Sequence, residues 1–129
     1  MAMSKAKLIT YWVTTVLLAA NYAFAGVMYI GKGEPDVEGA KALGYPLYFM
    51  VLLGYWKLAG AAAILAPRTP LIKEWAYAGM FINLTAASIS NYVSGLGAKE
   101  IIAPLTMIPF LAISWALRPE SRRFNGPLL

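Results

Sequence analysis

Residues 47–66 read LYFMVLLGYWKLAGAAAILA, a run of twenty residues whose one charge, Lys57, stands almost at the middle. A helix of about 20 apolar residues crosses a hydrocarbon core roughly 30 Å thick, so the run reads as a membrane span. A lysine at mid-bilayer costs about 3 kcal/mol on insertion scales, and something inside the folded protein has to compensate it. The rest of the chain has the same character. Of its 129 residues, 60% are hydrophobic and 13% charged, which indicates a single membrane domain over 1–129. Three further stretches approach spanning length: 8–30, 75–93 and 101–117, the last being the shortest. Short connections make consecutive helices antiparallel neighbours. The expected fold is therefore all-α, a four-helix transmembrane bundle. Residues 35–43 (PDVEGAKAL) have Pro at the first turn, acids near the start and Gly44 just past the end, the pattern of a short helix between spans 1 and 2.

The basic residues orient this bundle. Lys5, Lys7, Arg68, Lys73, Arg118, Arg122 and Arg123 fall on one side, and Lys32, Lys41 and Lys99 on the other. The excess of Lys and Arg on the cytoplasmic side of membrane proteins puts both termini in the cytoplasm and the short helix outside. The net charge of +5 then reports topology and contact with anionic membrane lipids, and nucleic acid is not an expected partner. Lys5, Lys7 and the Ala23-Phe24-Ala25 triplet imitate a cleavable signal peptide, but the apolar stretch continues through Ile30. A retained first helix is expected. Trp12, Tyr29, Tyr48, Trp75, Tyr92 and Trp115 fall near span ends, where amphipathic rings favour the headgroup level.

Helical phase suggests what surrounds Lys57. Its neighbours three and four residues away are Leu53, Gly54, Gly60 and Ala61, mostly small residues that let another helix come close. On the third span Ala76, Gly79, Asn83, Ala86, Ala87 and Ser90 share one stripe, with Asn83 at the depth of Lys57. The first span contributes Thr14 and Asn21 on one face. In the fourth, Pro109 cannot donate to the carbonyl of Leu105 and so leaves an acceptor near the centre. Asn21, Asn83, the Leu105 carbonyl and Thr106 are thus candidate acceptors for the three Lys57 donors. All six acids, Glu34, Asp36, Glu38, Glu74, Glu100 and Glu120, lie in loops or the tail, which leaves the lysine without a carboxylate at its depth. The plainer reading of Asn21, Asn83 and Thr14 is interhelical hydrogen bonding, worth about 0.6 kcal/mol on average. For Lys57 an intramembrane charge points to function.

Absences narrow the chemistry. The chain has no Cys and no His, which removes thiolate clusters, thiol–disulfide exchange and the usual haem, zinc and copper ligand. No metal site and no intrinsic cofactor are expected. Gly31-Lys32-Gly33-Glu34-Pro35 is glycine-rich but lacks the spacing of a phosphate-binding loop, and reads as a turn.

Several blocks resemble the DoxX-like family of small integral membrane proteins: AFAGVMYIGKGEP from Ala23, LGYPLYFMVLLGYWKLAGAAAILAPR from Leu43, KEWAYAGMFINLTAASISN from Lys73 and SWALRPESRR from Ser114. The most specific piece is Tyr55 to Gly60 followed by Ala66-Pro67-Arg68. The resemblance implies a four-helix membrane bundle in the bacterial cytoplasmic (inner) membrane. Relatives include subunits of thiosulfate:quinone oxidoreductase, components of membrane oxidoreductase complexes and, further off, a receptor-assembly chaperone, so the fold does not define one function. The chain departs from the family pattern where Asn83 replaces a frequent acid, Asn91 a frequent His and Tyr29 a frequent Lys; amides do not titrate, and Lys57 is the intramembrane charge that remains. The first expectation is an auxiliary or redox-complex-associated subunit that binds an apolar small molecule, a quinone or lipid, with Lys57, Asn83, Asn21, Thr14 and Thr106 around its polar head. The alternatives are a membrane enzyme using Lys57 as catalytic general base on a hydrophobic substrate, or an assembly scaffold in which Lys57 meets an acid on a membrane protein partner or a second copy of the chain.

Overall fold

A computed structural model describes residues 3–124 as helices joined by short turns, with no strand among the described residues. Helix α1 (Lys5–Ile30) starts three residues earlier than the apolar run, because the Ser4 hydroxyl caps it by accepting from the Lys7 amide at 3.2 Å. Helix α2 (Glu34–Leu43) has Pro35 at its first turn and acids beside it, and closes on Gly44 at φ 77°. The Gly44 and Tyr45 amides return to the carbonyls of Lys41 and Ala40, which a left-handed glycine permits without strain. Helix α3 (Leu47–Leu65) stops at Ala66, which is extended before Pro67. Helix α4 (Pro70–Val93) opens on a proline, where the missing amide hydrogen is not needed.

The expected fourth span is broken into α5 (Ala98–Leu105) and α6 (Ile108–Ala116), separated by Thr106 and Met107. The cause is two prolines five residues apart. Pro104 and Pro109 remove the amide donors that the carbonyls of Glu100 and Leu105 would use in a continuous helix. The first of these is satisfied from outside: Asn91 Nδ2 of α4 donates to the Glu100 carbonyl at 2.6 Å, and Ser88 Oγ donates to the adjacent Ile101 carbonyl at 2.6 Å. Asn91→Ala is expected to cost about 1 kcal/mol, read as a lowered thermal midpoint of detergent-purified protein. An unchanged midpoint would mean that the carbonyl is as well satisfied by its surroundings.

Helix α1 packs most extensively on α3 and touches α6 with another flank, while α4 lies against α3 on one side and α5 and α6 on the other. The α1–α3 crossing is made by two glycines. A Cβ built on Gly26 would stand 2.8 Å from the Gly54 carbonyl oxygen, and one on Gly54 would stand 2.9 Å from the Gly26 oxygen. Backbone meets backbone there, as small residues allow in membrane helices. The core comprises Leu18, Ala19, Tyr22, Ala61, Ile64, Tyr77, Met80, Leu84 and Leu111. It also holds a hydroxyl chain in which Thr15 bonds Ser114 at 2.6 Å and Tyr77 bonds Ser114 at 2.7 Å.

Among the described residues three stretches are long and apolar enough to cross a membrane: Lys5–Ile30, Leu47–Leu65 and Ala98–Ala116 taken as one rod. Helix α4 is long enough but carries Lys73, Glu74, Asn83, Ser88, Ser90 and Asn91, all buried or half-buried. Its polarity faces its neighbours, and its mean hydropathy falls accordingly.

The basic residues at one end play a different part from free surface charge. Lys73 is fully buried and donates to the carbonyls of Ala63 (2.8 Å) and Ala66 and to Thr69 Oγ1 (2.9 Å). Arg122 donates to the carbonyls of Ile64 at 3.1 Å and Leu65 at 3.3 Å, with its guanidinium 4.7 Å from the Trp12 ring. Two cations therefore close the C-terminus of α3, where the last carbonyls and the helix dipole favour positive charge. Arg118 pairs with Glu74 at 3.0 Å.

Candidate functional site

Three helices bring four side chains together at mid-height. Lys57 comes from the centre of α3, Asn83 from the middle of α4, and Tyr22 and Tyr29 from α1, about two turns apart. Lys57 Nζ donates to Asn83 Oδ1 at 3.2 Å. The Tyr22 hydroxyl shares its one hydrogen between the same oxygen at 3.1 Å and the Met80 carbonyl at 3.3 Å. An ammonium has no acceptor, so the amide atom facing it has to be oxygen. The ammonium also lies 4.6 Å from the Tyr22 ring centroid and 5.3 Å from that of Tyr29, close enough for the rings' negative faces to stabilise charge.

These neighbours leave Lys57 incompletely satisfied. Of its three donors, one has a protein acceptor among the described residues. Lys73, which is fully buried, has an acceptor for all three, whereas Lys57 is half-buried. Neither ion pair of the described residues, Lys41–Glu38 or Arg118–Glu74, includes Lys57.

Beside this cluster is a cavity of about 380 Å³ between α3 and α4. Tyr22, Lys57 and Asn83 are its polar lining, with Leu53, Trp56, Ile72, Trp75 and Met80 among the apolar residues. Small residues make the space. A Cβ at Gly79 would meet nothing within 4 Å, and one at Gly60 would meet only the flexible end of Met80 at 3.2 Å. The small residues flanking Lys57 thus serve two purposes: Gly54 admits the α1 backbone, and Gly60 helps hold the cavity open.

The remaining expected residues stand apart from the cluster. Thr14 is buried, but its hydroxyl donates within α1 to the carbonyls of Thr10 at 2.8 Å and Tyr11 at 3.0 Å. Asn21 is exposed. Thr106 is exposed and donates to the Ala103 carbonyl at 2.6 Å. Leu105 lies on the α5–α6 rod, which packs against α1 and α4 rather than α3, so its carbonyl is no acceptor for Lys57. The first helix reaches the site through Tyr22, one residue beyond Asn21. The pattern that identifies Tyr22 is the buried stripe Thr15, Leu18, Ala19, Tyr22 and Gly26, spaced as one helical face.

A second cavity of about 320 Å³ lies between α4 and α6 beside Glu74 and Trp115. Its carboxylate is already engaged, by Arg118 at 3.0 Å and by Trp115 Nε1 at 3.0 Å. The Lys57 cavity is the one whose polar end has bonding capacity to spare.

The sequence model of the DoxX-like family matches residues 13–117. No curated protein and no solved structure matches the chain.

Proposed function

The chain belongs to the DoxX-like family, and from that premise we propose that it is an auxiliary membrane subunit, associated with a redox complex, whose α3–α4 cavity binds an apolar small molecule. The molecule is a quinone or lipid-like compound with its polar head on Lys57 and Asn83. In this reading the α5–α6 rod is one crossing and α4 another; four crossings keep both termini on one side, and the distribution of basic residues favours the cytoplasmic face of the bacterial inner membrane.

One observation carries the binding role: the Lys57 ammonium lines an apolar cavity with two donors that have no acceptor among the described residues. An unsatisfied charge of this kind is costly in a membrane unless something completes it. Binding is favoured over general-base catalysis because the neighbours of Lys57 are an amide and two phenol rings, with no carboxylate to relay a proton.

The test compares wild type with Lys57→Met after purification in mild detergent, with organic extraction and mass spectrometry of what remains bound. Wild type is expected to retain a small amphiphile that the variant has lost. The thermal midpoints should differ little, since replacing a buried charge by an apolar side chain of similar length is often neutral or stabilising. If the variant is as fully loaded as wild type, the binding role of Lys57 fails.

A further inference from the structure

Resting on this binding role, the geometry points to a narrower ligand class: we propose that the site takes a single-chain amphiphile with an anionic carboxylate head, and prefers it to a neutral molecule of the same shape. The first support is the direction of the hydrogen bonds. Asn83 Oδ1 accepts from both Lys57 and Tyr22, which occupies its two lone pairs. Two Lys57 hydrogens and the Asn83 NH2 are left without an acceptor among the described residues. The open bonding capacity of the lysine and the amide is therefore entirely on the donor side. An ammonium head group would meet the like charge of Lys57 and find only the Tyr22 hydroxyl oxygen to accept from it, whereas a carboxylate offers two acceptor oxygens to the free lysine and amide hydrogens.

The second support is charge. None of the six carboxylates is in an ion pair with Lys57; Glu74 is held by Arg118, and Glu38 by Lys41. The charge partner that the fold leaves out is supplied by the ligand. The third is access. Trp56 and Trp75 line the cavity and are each 67% exposed, so the cleft opens sideways between α3 and α4, and a hydrocarbon tail can leave it directly into lipid.

The same two tryptophans provide the measurement. Detergent-purified protein is titrated with a brominated stearic acid, whose bromines quench nearby indoles, and in parallel with its methyl ester, which keeps the tail and the carbonyl but loses the charge. Wild type is expected to bind the acid at least about tenfold more tightly than the ester, charge-assisted hydrogen bonds being roughly twice as strong as neutral ones. Asn83→Asp, which preserves side-chain size and gives Lys57 a carboxylate of its own, is expected to abolish that preference. Equal affinity of wild type for acid and ester overturns the carboxylate assignment and leaves the cavity as a site for neutral molecules. Quenching by neither compound overturns both this assignment and the binding role itself. Retention of the full acid preference by a folded Asn83→Asp variant overturns the charge pairing. The comparison of acid with ester in wild type needs no variant to fold.

Discussion

Gly54→Val is expected to yield little or no folded protein. A side chain at this position starts with a Cβ 2.9 Å from the Gly26 carbonyl oxygen, 2.9 Å from Ile30 Cγ1 and 3.0 Å from Tyr29 Cβ. The first of these atoms is backbone and cannot rotate away, so relief requires α1 and α3 to separate. That is the most extensive helix contact in the protein. Overpacking in well-filled cores costs about 1–3 kcal/mol even where side chains can adjust; with backbone on both sides the loss should reach or exceed the upper figure. Separation would also move Tyr22 and Tyr29 away from Lys57. Gly79→Ala is the control, since its Cβ meets nothing within 4 Å and alanine favours a helix by up to about 1 kcal/mol over glycine. Size-exclusion profiles and thermal midpoints in one detergent check both. A Gly54→Val variant as monodisperse and as stable as wild type would refute the backbone contact.

Lys73→Met is expected to destabilise by about 3 kcal/mol, whereas Lys57→Met leaves stability close to wild type. The two lysines are chemically the same and differ in their surroundings. Lys73 serves the carbonyls of Ala63 and Ala66 and the Thr69 hydroxyl, and hydrogen bonds to charged groups are worth about 1.5–3 kcal/mol each in favourable cases. Its removal strands these acceptors at the C-terminal end of α3. Lys57 holds one amide oxygen that Tyr22 also holds. Thermal denaturation of the two variants, each beside wild type, gives the ordering directly. Equal losses for both would show that Lys57 is a structural tie like Lys73, and would remove the ground for a ligand.

This contrast shows how far the amino-acid order could be read. The all-helical class and the placement of α1 and α3 followed from apolar run length, and the short α2 from its proline, acids and terminal glycine, whereas α4 begins at Pro70, ahead of the expected span at 75, and is too polar to be identified by hydropathy. Lys57 and Asn83 could be paired because each sits near the middle of its run. Depth alone did not say which face each helix presents. Asn21 lies at a suitable height but points out of the bundle, and Tyr22, easily read as one more apolar residue, carries the hydroxyl that reaches Asn83. Pro109 was legible as the source of a freed carbonyl, but its combination with Pro104 divides the rod in two, and that rod is not beside α3. Lys73 and Arg122 count as loop charges in any tally of sidedness. Their role as caps depends on the Pro67–Pro70 turn folding α4 back on α3 and on the chain returning at Arg122, which no local pattern reports. Tyr29, near the end of α1, offers Lys57 the face of a ring at 5.3 Å.

The closure of α3 also orders the assembly of the protein in time. Its last carbonyls are bonded by Lys73, seven residues beyond Ala66, and by Arg122, 57 residues beyond Leu65. During synthesis the first bond becomes available as soon as the following turn is made. The second waits until α4, α5 and α6 have emerged, because domains are laid down from the N-terminus and distant contacts close last. Arg122 also reaches the Tyr11 hydroxyl at 3.5 Å, so its arrival joins the earliest helix to the latest turn. A nascent chain halted before this arginine lacks one of the two cations that cap α3.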